Sequence, residues 1–337
     1  MGIIYSCTMM KKPLLISCGI ISLALGLSNF VLPPAELKWK LIAPLEEPAP
    51  RHENSFAQVG DKFYLFGGRN NLRLDAYDTK TNKWVRKADA PTEMNHFQAI
   101  TYRDEVYVIA AFQGKYPHET PIPQIYIYNP KQDKWREGPA IPQDRLRGSA
   151  GVTGYKDKIY VVSGITDGHY DGHVTWFDEY NPQTNTWRKL PDAPHARDHI
   201  SVAVVDDKLV IAGGRKSTAR INKVVELTVP NVDIYDFKTG KWKTLPASSN
   251  IPTQRAGNSA VTLGHKVLIM GGESTQKISH NQTEAFNIRT GTWETLTPMN
   301  TGRHGTGAVV YKNKVYIAAG SANAGGGPEL NTMEVLE

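Results

Sequence analysis

Six times along the chain a polar turn is followed by a run of alternating apolar residues that ends on a pair of small ones. The runs are Lys62-Phe-Tyr-Leu-Phe-Gly-Gly68, Glu105-Val-Tyr-Val-Ile-Ala-Ala111, Lys158-Ile-Tyr-Val-Val-Ser-Gly164, Lys208-Leu-Val-Ile-Ala-Gly-Gly214, Lys266-Val-Leu-Ile-Met-Gly-Gly272 and Lys314-Val-Tyr-Ile-Ala-Ala-Gly320. Each is rich in β-branched and aromatic residues and bounded by glycine or another small residue, which predicts a strand. Each follows another short apolar stretch across a turn such as Val59-Gly-Asp-Lys62 or Val205-Asp-Asp-Lys208, so the two form a tight hairpin. No stretch after residue 36 sustains a 3.6-residue apolar period, so helices are not expected there.

Downstream of five of the runs an aromatic residue is followed seven positions later by tryptophan: Tyr77 and Trp84, Tyr128 and Trp135, Tyr180 and Trp187, Tyr235 and Trp242, Phe286 and Trp293. The intervening Asp, Asn, Pro, Thr and Gly residues are turn formers, and they predict a third and a fourth strand in each unit. Self-similarity at this period is the signature of a repeat architecture. Paired small residues, the aromatic–tryptophan spacing and an upstream arginine recur together, and in this the chain resembles the Kelch repeats over residues 36–337. The resemblance implies an all-β fold, a six-bladed Kelch β-propeller with four-stranded blades around a central channel. The sixth unit ends at Glu337 within its third strand and lacks a tryptophan, whereas Trp39 stands unpartnered upstream. The N-terminal strand, 36–43, is therefore expected to complete the C-terminal blade and close the ring.

Residues 1–30 differ from the rest. Lys11 and Lys12 precede an uncharged apolar run from Leu14 to Leu27, the order of a signal peptide, with an uncleaved N-terminal membrane anchor over 13–32 as the alternative. A secreted or periplasmic propeller is expected, touching a membrane only through that segment if it is retained. Both cysteines, Cys7 and Cys18, lie in the leader, so the body has no disulfide, thiolate ligand or cysteine nucleophile. The formal charge is +6, of which Lys11 and Lys12 supply two, and no long basic run points to nucleic acid.

Candidate chemistry collects where blades connect. Eleven residues before each turn lysine or its Glu105 equivalent stand Arg51, Met94, Arg147, Arg197, Arg255 and Arg303, the start of each first strand. Buried arginine is rarely unpaired, so a structural role within or between blades comes first. The alternative is that Arg51, Arg147, Arg197, Arg255 and Arg303, with His96 and His304 in the same connections, ring one mouth of the channel and bind an anion through open guanidinium forks. Directly after the small pairs come Arg69, Phe112, Ile165, Arg215, Glu273 and Ser321 at the same end. Glu273, the one acid among them, is read first as a counter-ion to the arginine ring and second as a catalytic general acid or base. No metal site is expected; the candidates are His169 and His173, which alternate with Asp167 and Asp171 on one loop and would share one side of an extended chain.

No nucleophile elbow, phosphate loop or strict catalytic constellation is present. Among Kelch propellers, the galactose oxidases use copper and a cysteine cross-linked to tyrosine, which this cysteine-free body cannot form, and no cofactor is expected. The exported sialic-acid mutarotases are similar in having six blades and an acid at the position of Glu273. Their arginine later in the same loop is replaced here by Lys277 and Ser279. The primary reading is a binding or recognition module whose basic mouth suits an anionic small molecule, a glycan or an envelope protein. An acidic-sugar mutarotase is the alternative, and whether the chain is an enzyme is left open.

Overall fold

The computed structural model describes Gly2, residues 37–216 and residues 218–337. The expected leader falls on residues outside those described, apart from Gly2. Among the described residues, six four-stranded antiparallel sheets follow one another along the chain. Blade I is Asn54–Val59, Lys62–Gly67, Leu74–Asp78 and Lys83–Arg86, each strand paired with the next. Blades II to V repeat that order over 100–140, 151–190, 202–244 and 259–296. Blade VI takes Ala308–Tyr311, Lys314–Ala318 and Met333–Leu336 from the end of the chain and Trp39–Ile42 from its beginning. The closing strands pair in the register Trp39↔Leu336 to Ile42↔Met333, as the lone tryptophan predicts.

The second strands are buried on both faces, which is why they read as nearly continuous apolar runs rather than as strict alternation. Six apolar clusters form the core, one at each junction between neighbouring blades. Each aromatic–tryptophan pair sits directly opposite across strands three and four, ring centroids 4.8–5.3 Å apart. The indole N–H groups of Trp135, Trp242 and Trp293 each donate to a carbonyl of the preceding blade's exit loop, Ala88, Pro191 and Ser249. The repeated residue types thus bond one blade to the next as well as packing within one.

No helix among the described residues is long and apolar enough to cross a membrane. Two short accessory hairpins, Phe112–Gln113 with Thr120–Pro121 and Ile165–Asp167 with Asp171–His173, rise from the strand two-to-three loops of blades II and III. They stand on the side of the disc where the blade-to-blade connections also emerge, and so wall one mouth of the channel.

Candidate functional site

The five arginines at the first-strand register point into their own blades and not into the mouth. Each is almost fully buried and ion-paired to an acid on strand three: Arg51 with Asp75 at 2.5 Å, Arg147 with Asp178 at 2.9 Å, Arg197 with Asp233 at 2.5 Å, Arg255 with Glu284 at 2.6 Å and Arg303 with Glu334 at 2.7 Å. Further terminal N–H groups donate to carbonyls of strands two and three or of the adjoining loops, for example Arg197 to Gly213 and Asn231, and Arg303 to Ala319 and Thr332, while the buried Nε–H groups of Arg197, Arg255 and Arg303 make no hydrogen bond. Blade II, which has Met94 in place of arginine, also lacks the acid: Tyr126 occupies that position, and Met94 and Tyr126 share an apolar cluster. Both members of the pair change together, as a structural ion pair requires, because either charge left alone in the interior is strongly unfavourable. The guanidinium forks are closed, so an anion-binding arginine ring is not what the mouth presents.

Two residues further along, at the same register in all six blades, stand Glu53, His96, Ser149, His199, Gly257 and Gly305, every one in the left-handed backbone region with φ between 50° and 63°. A belt of hydrogen bonds joins them around the channel. His96 N–H donates to the Glu53 carbonyl, Ser149 N–H to His96, Gly257 N–H to His199, Gly305 N–H to Gly257 and Asn54 N–H to Gly305. The remaining link runs from His199 N–H to the Ser149 hydroxyl at 2.9 Å. The conformation comes readily to glycine and is unfavourable for the other four, so backbone strain collects where side chains enter the channel. These six residues line a constriction of about 40 Å3, space for a water or two.

Above the constriction the channel opens into a mouth cavity of about 580 Å3, lined among others by His52, Glu53, Arg69, Tyr116, His169, Arg215 and Glu273. The strand two-to-three loops and blade connections supply this lining, the face expected from the sequence. Arg215 of blade IV reaches Glu273 of blade V at 2.5 Å. Glu273 also accepts from Gly325 N–H at 2.6 Å and lies 3.5 Å from His304 Nε2. Its counter-ion is therefore Arg215, not the arginine ring, and its surroundings span three blades. Burial, the largest single influence, would raise the Glu273 carboxyl, but Arg215, His304 and the Gly325 N–H together outweigh it and hold the group at about 2. Across the mouth Arg69 pairs with Glu119, which also contacts His169 Nδ1 at 3.0 Å.

Of the expected histidines, both His96 and His304 are at the centre, each 1% exposed in its side chain. His96 Nε2 lies 3.0 Å from Glu53 Oε2, and His304 Nε2 lies 3.8 Å from Glu53 Oε1. Burial pushes the His96 imidazole down to about 3, so it is neutral at neutral pH. The loop carrying His169 and His173 does not present its four polar residues on one side. Asp167 pairs with His118 and Asp171 with Arg220, while His173 Nε2 sits 3.9 Å from Asp198. His169 instead joins His96 and His199 from two other blades. Sequence reading places His52 and His199 in the same blade connections as His96 and His304, but it missed Glu53, Asp198 and Ser149 as members of the centre, although counting two residues past each arginine finds Glu53 and Ser149.

A family model described as the attractin/LZTR1 β-propeller matches residues 34–280. The chain is 29% identical over 294 residues to the Kelch-like protein terF of Aspergillus terreus, covering 82% of this chain and 62% of that one. It is 31% identical over 248 residues to beta-scruin of Limulus polyphemus, covering 68% and 26%. The chain thus spans from about a quarter to three-fifths of the length of these curated relatives. The solved structure of YjhT superposes with a TM-score of 0.72 at 17% identity, over 86% of this chain and 95% of that one, which is likeness of fold. With its six repeats, closed ring and matched model, the chain belongs to the attractin/LZTR1 β-propeller family of Kelch-repeat proteins.

Proposed function

We propose that this propeller is a recognition module that binds a small saccharide in its channel mouth. The observation that carries the reading is the shape and polarity of the 580 Å3 cavity. It is of the size that small ligands occupy, and its lining mixes cationic Arg69, Lys115 and Arg215 with the acids Glu53 and Glu273 and with His52 and His169. Sugar hydroxyls both donate and accept, so mixed walls suit them better than a wall of one charge. Tyr116, 53% exposed, offers a ring face against which an apolar sugar face can pack. An acidic sugar would gain further from Lys115 at the rim. The leader supports export as the setting of this binding.

Catalysis by mutarotation rests on Glu273 and on Arg215, which reaches it from the neighbouring blade in place of an arginine in the same loop. A carboxyl held at about 2 is ionised at neutral pH and has no proton to give to a ring oxygen, which favours binding over turnover. A thermal-shift screen of the full chain against neutral and acidic monosaccharides tests the reading. A ligand at a hundred times its dissociation constant stabilises by about 2.7 kcal/mol, and the shift should shrink in Tyr116→Ala and Lys115→Ala. Anomer exchange followed on any sugar that binds decides between the two readings. No shift with any sugar sinks both.

A further inference from the structure

We infer that His96, His169 and His199 form a binding site for one divalent transition-metal ion of the zinc class, set on the channel axis between the mouth and the constriction, with Glu53 as fourth ligand. The three side chains arrive from blades II, III and IV and are all buried, and one ring nitrogen of each lies within 4.8 Å of the others. Their ring centroids are 4.8–4.9 Å apart, each pair near perpendicular. Ligands about 2.1 Å from a zinc ion sit roughly 3.0–3.4 Å from one another, so the rings have only to draw in by about 1.5 Å.

The surroundings prepare these rings to ligate. Each Nδ1 is held by an oxygen: His96 by Asn95 Oδ1 at 2.7 Å, His199 by Asp198 Oδ2 at 3.0 Å and His169 by Glu119 Oε1 at 3.0 Å. Such contacts fix the tautomer and leave Nε2 with its lone pair, the arrangement found behind metal-bound histidines. The Nε2 atom of His199 is buried and makes no hydrogen bond, and that of His96 faces Glu53 Oε2 at 3.0 Å. A buried imidazole nitrogen without a partner is unfavourable in an interior where nearly all polar atoms are satisfied. That 3.0 Å separation between Glu53 Oε2 and His96 Nε2 is also normal for two ligands of one ion. Glu53, His96 and His199 are moreover three of the four side chains held at positive φ where blades V and VI use glycine. Three imidazole ligands and one carboxylate select zinc, cobalt or nickel over magnesium or calcium.

The inference goes beyond saccharide binding and does not depend on it. The test uses the full chain without an affinity tag, in a Cys7→Ser/Cys18→Ser background, stripped with a chelator and titrated with Co2+ alone. Visible ligand-field absorption saturating at one Co2+ per chain, and displaced by Zn2+, is the expected result. His169→Ala, on a loop and removable without opening the core, should weaken Co2+ at least tenfold, and Asn95→Ala should do so by about 10–100-fold through its hold on His96. A folded protein with no absorption up to millimolar Co2+ overturns the site. So does binding that survives His169→Ala and His199→Ala but is lost in His118→Ala, because His118 is an exposed surface histidine.

Discussion

Two positions, two residues apart in every repeat, are occupied in contrasting ways. At the first, five blades carry the same arginine, turned inward and closed by an acid of its own blade. At the second, the six residues are Glu53, His96, Ser149, His199, Gly257 and Gly305, which share a backbone conformation and a hydrogen-bonded belt but little side-chain chemistry. The first position repeats because each blade must hold its strands to the loops above them, and the need is the same in each. The second varies because its side chains meet at one point on the axis, where six copies of any large residue would not fit. In a repeat protein, uniformity at a polar register marks a bond made inside the unit. Departure from the repeat marks a place where units converge.

The largest effect should come from splitting an inward pair. Arg303→Met alone leaves Glu334 buried without its partner and should lower stability by about 3–5 kcal/mol in urea denaturation. Adding Glu334→Tyr, which copies blade II, should return part of that loss; no recovery would mean that the blade II substitution is not an equivalent solution. Next, Glu273→Gln should cost about 1–3 kcal/mol at neutral pH by removing the buried charge that Glu273 sets against Arg215. The folded-state value of Glu273, about 2, lies below its ordinary 4.5, so its contribution is complete above about 4.5 and is lost as pH falls towards 2. The gap between wild type and Glu273→Gln should close over that window.

His96 gives its signal in a different window. Its folded value of about 3 lies below the ordinary 6.5, so the unfolded chain takes up a proton that the folded one refuses as pH drops below about 6.5. Wild-type stability should decline across 6.5 to 3, and His96→Asn should remove up to one proton from the slope. The smallest change is expected from Ser149→Gly, where relief of the left-handed backbone offsets loss of the hydroxyl bond to His199 N–H, for a net shift within about 1 kcal/mol. A loss well beyond that would show the hydroxyl link to be a main closure of the belt.

The blades and their closure were legible because they depend on local periodicity: the alternating strands, the aromatic–tryptophan spacing and the solitary Trp39 each state a pairing that the sheets then show. The arginine partners were legible too, since Asp75, Asp178, Asp233 and Glu284 each stand two residues before the strand-three aromatic, Glu334 stands two before Leu336, and Tyr126 stands there in the blade without arginine. The centre was not. Arg215 finds Glu273, and His169 finds His96 and His199, across blades, and no spacing along one chain encodes which residues of separate repeats point at a common axis. The loop of His169 and His173 misled because alternation puts side chains on one side only in an extended strand, and this loop is a tight hairpin.

The clasp between Trp39–Ile42 and Met333–Leu336 has a consequence for how the molecule comes into being. During synthesis the first strand emerges long before its partner exists, and it must wait while five complete blades follow it. Joining the ends closes a loop nearly as long as the chain, and pairings of such high sequence separation form late and slowly. The ring can therefore be shut only after Met333–Leu336 has left the ribosome, so circularity joins strands made far apart in time rather than growing blade by blade.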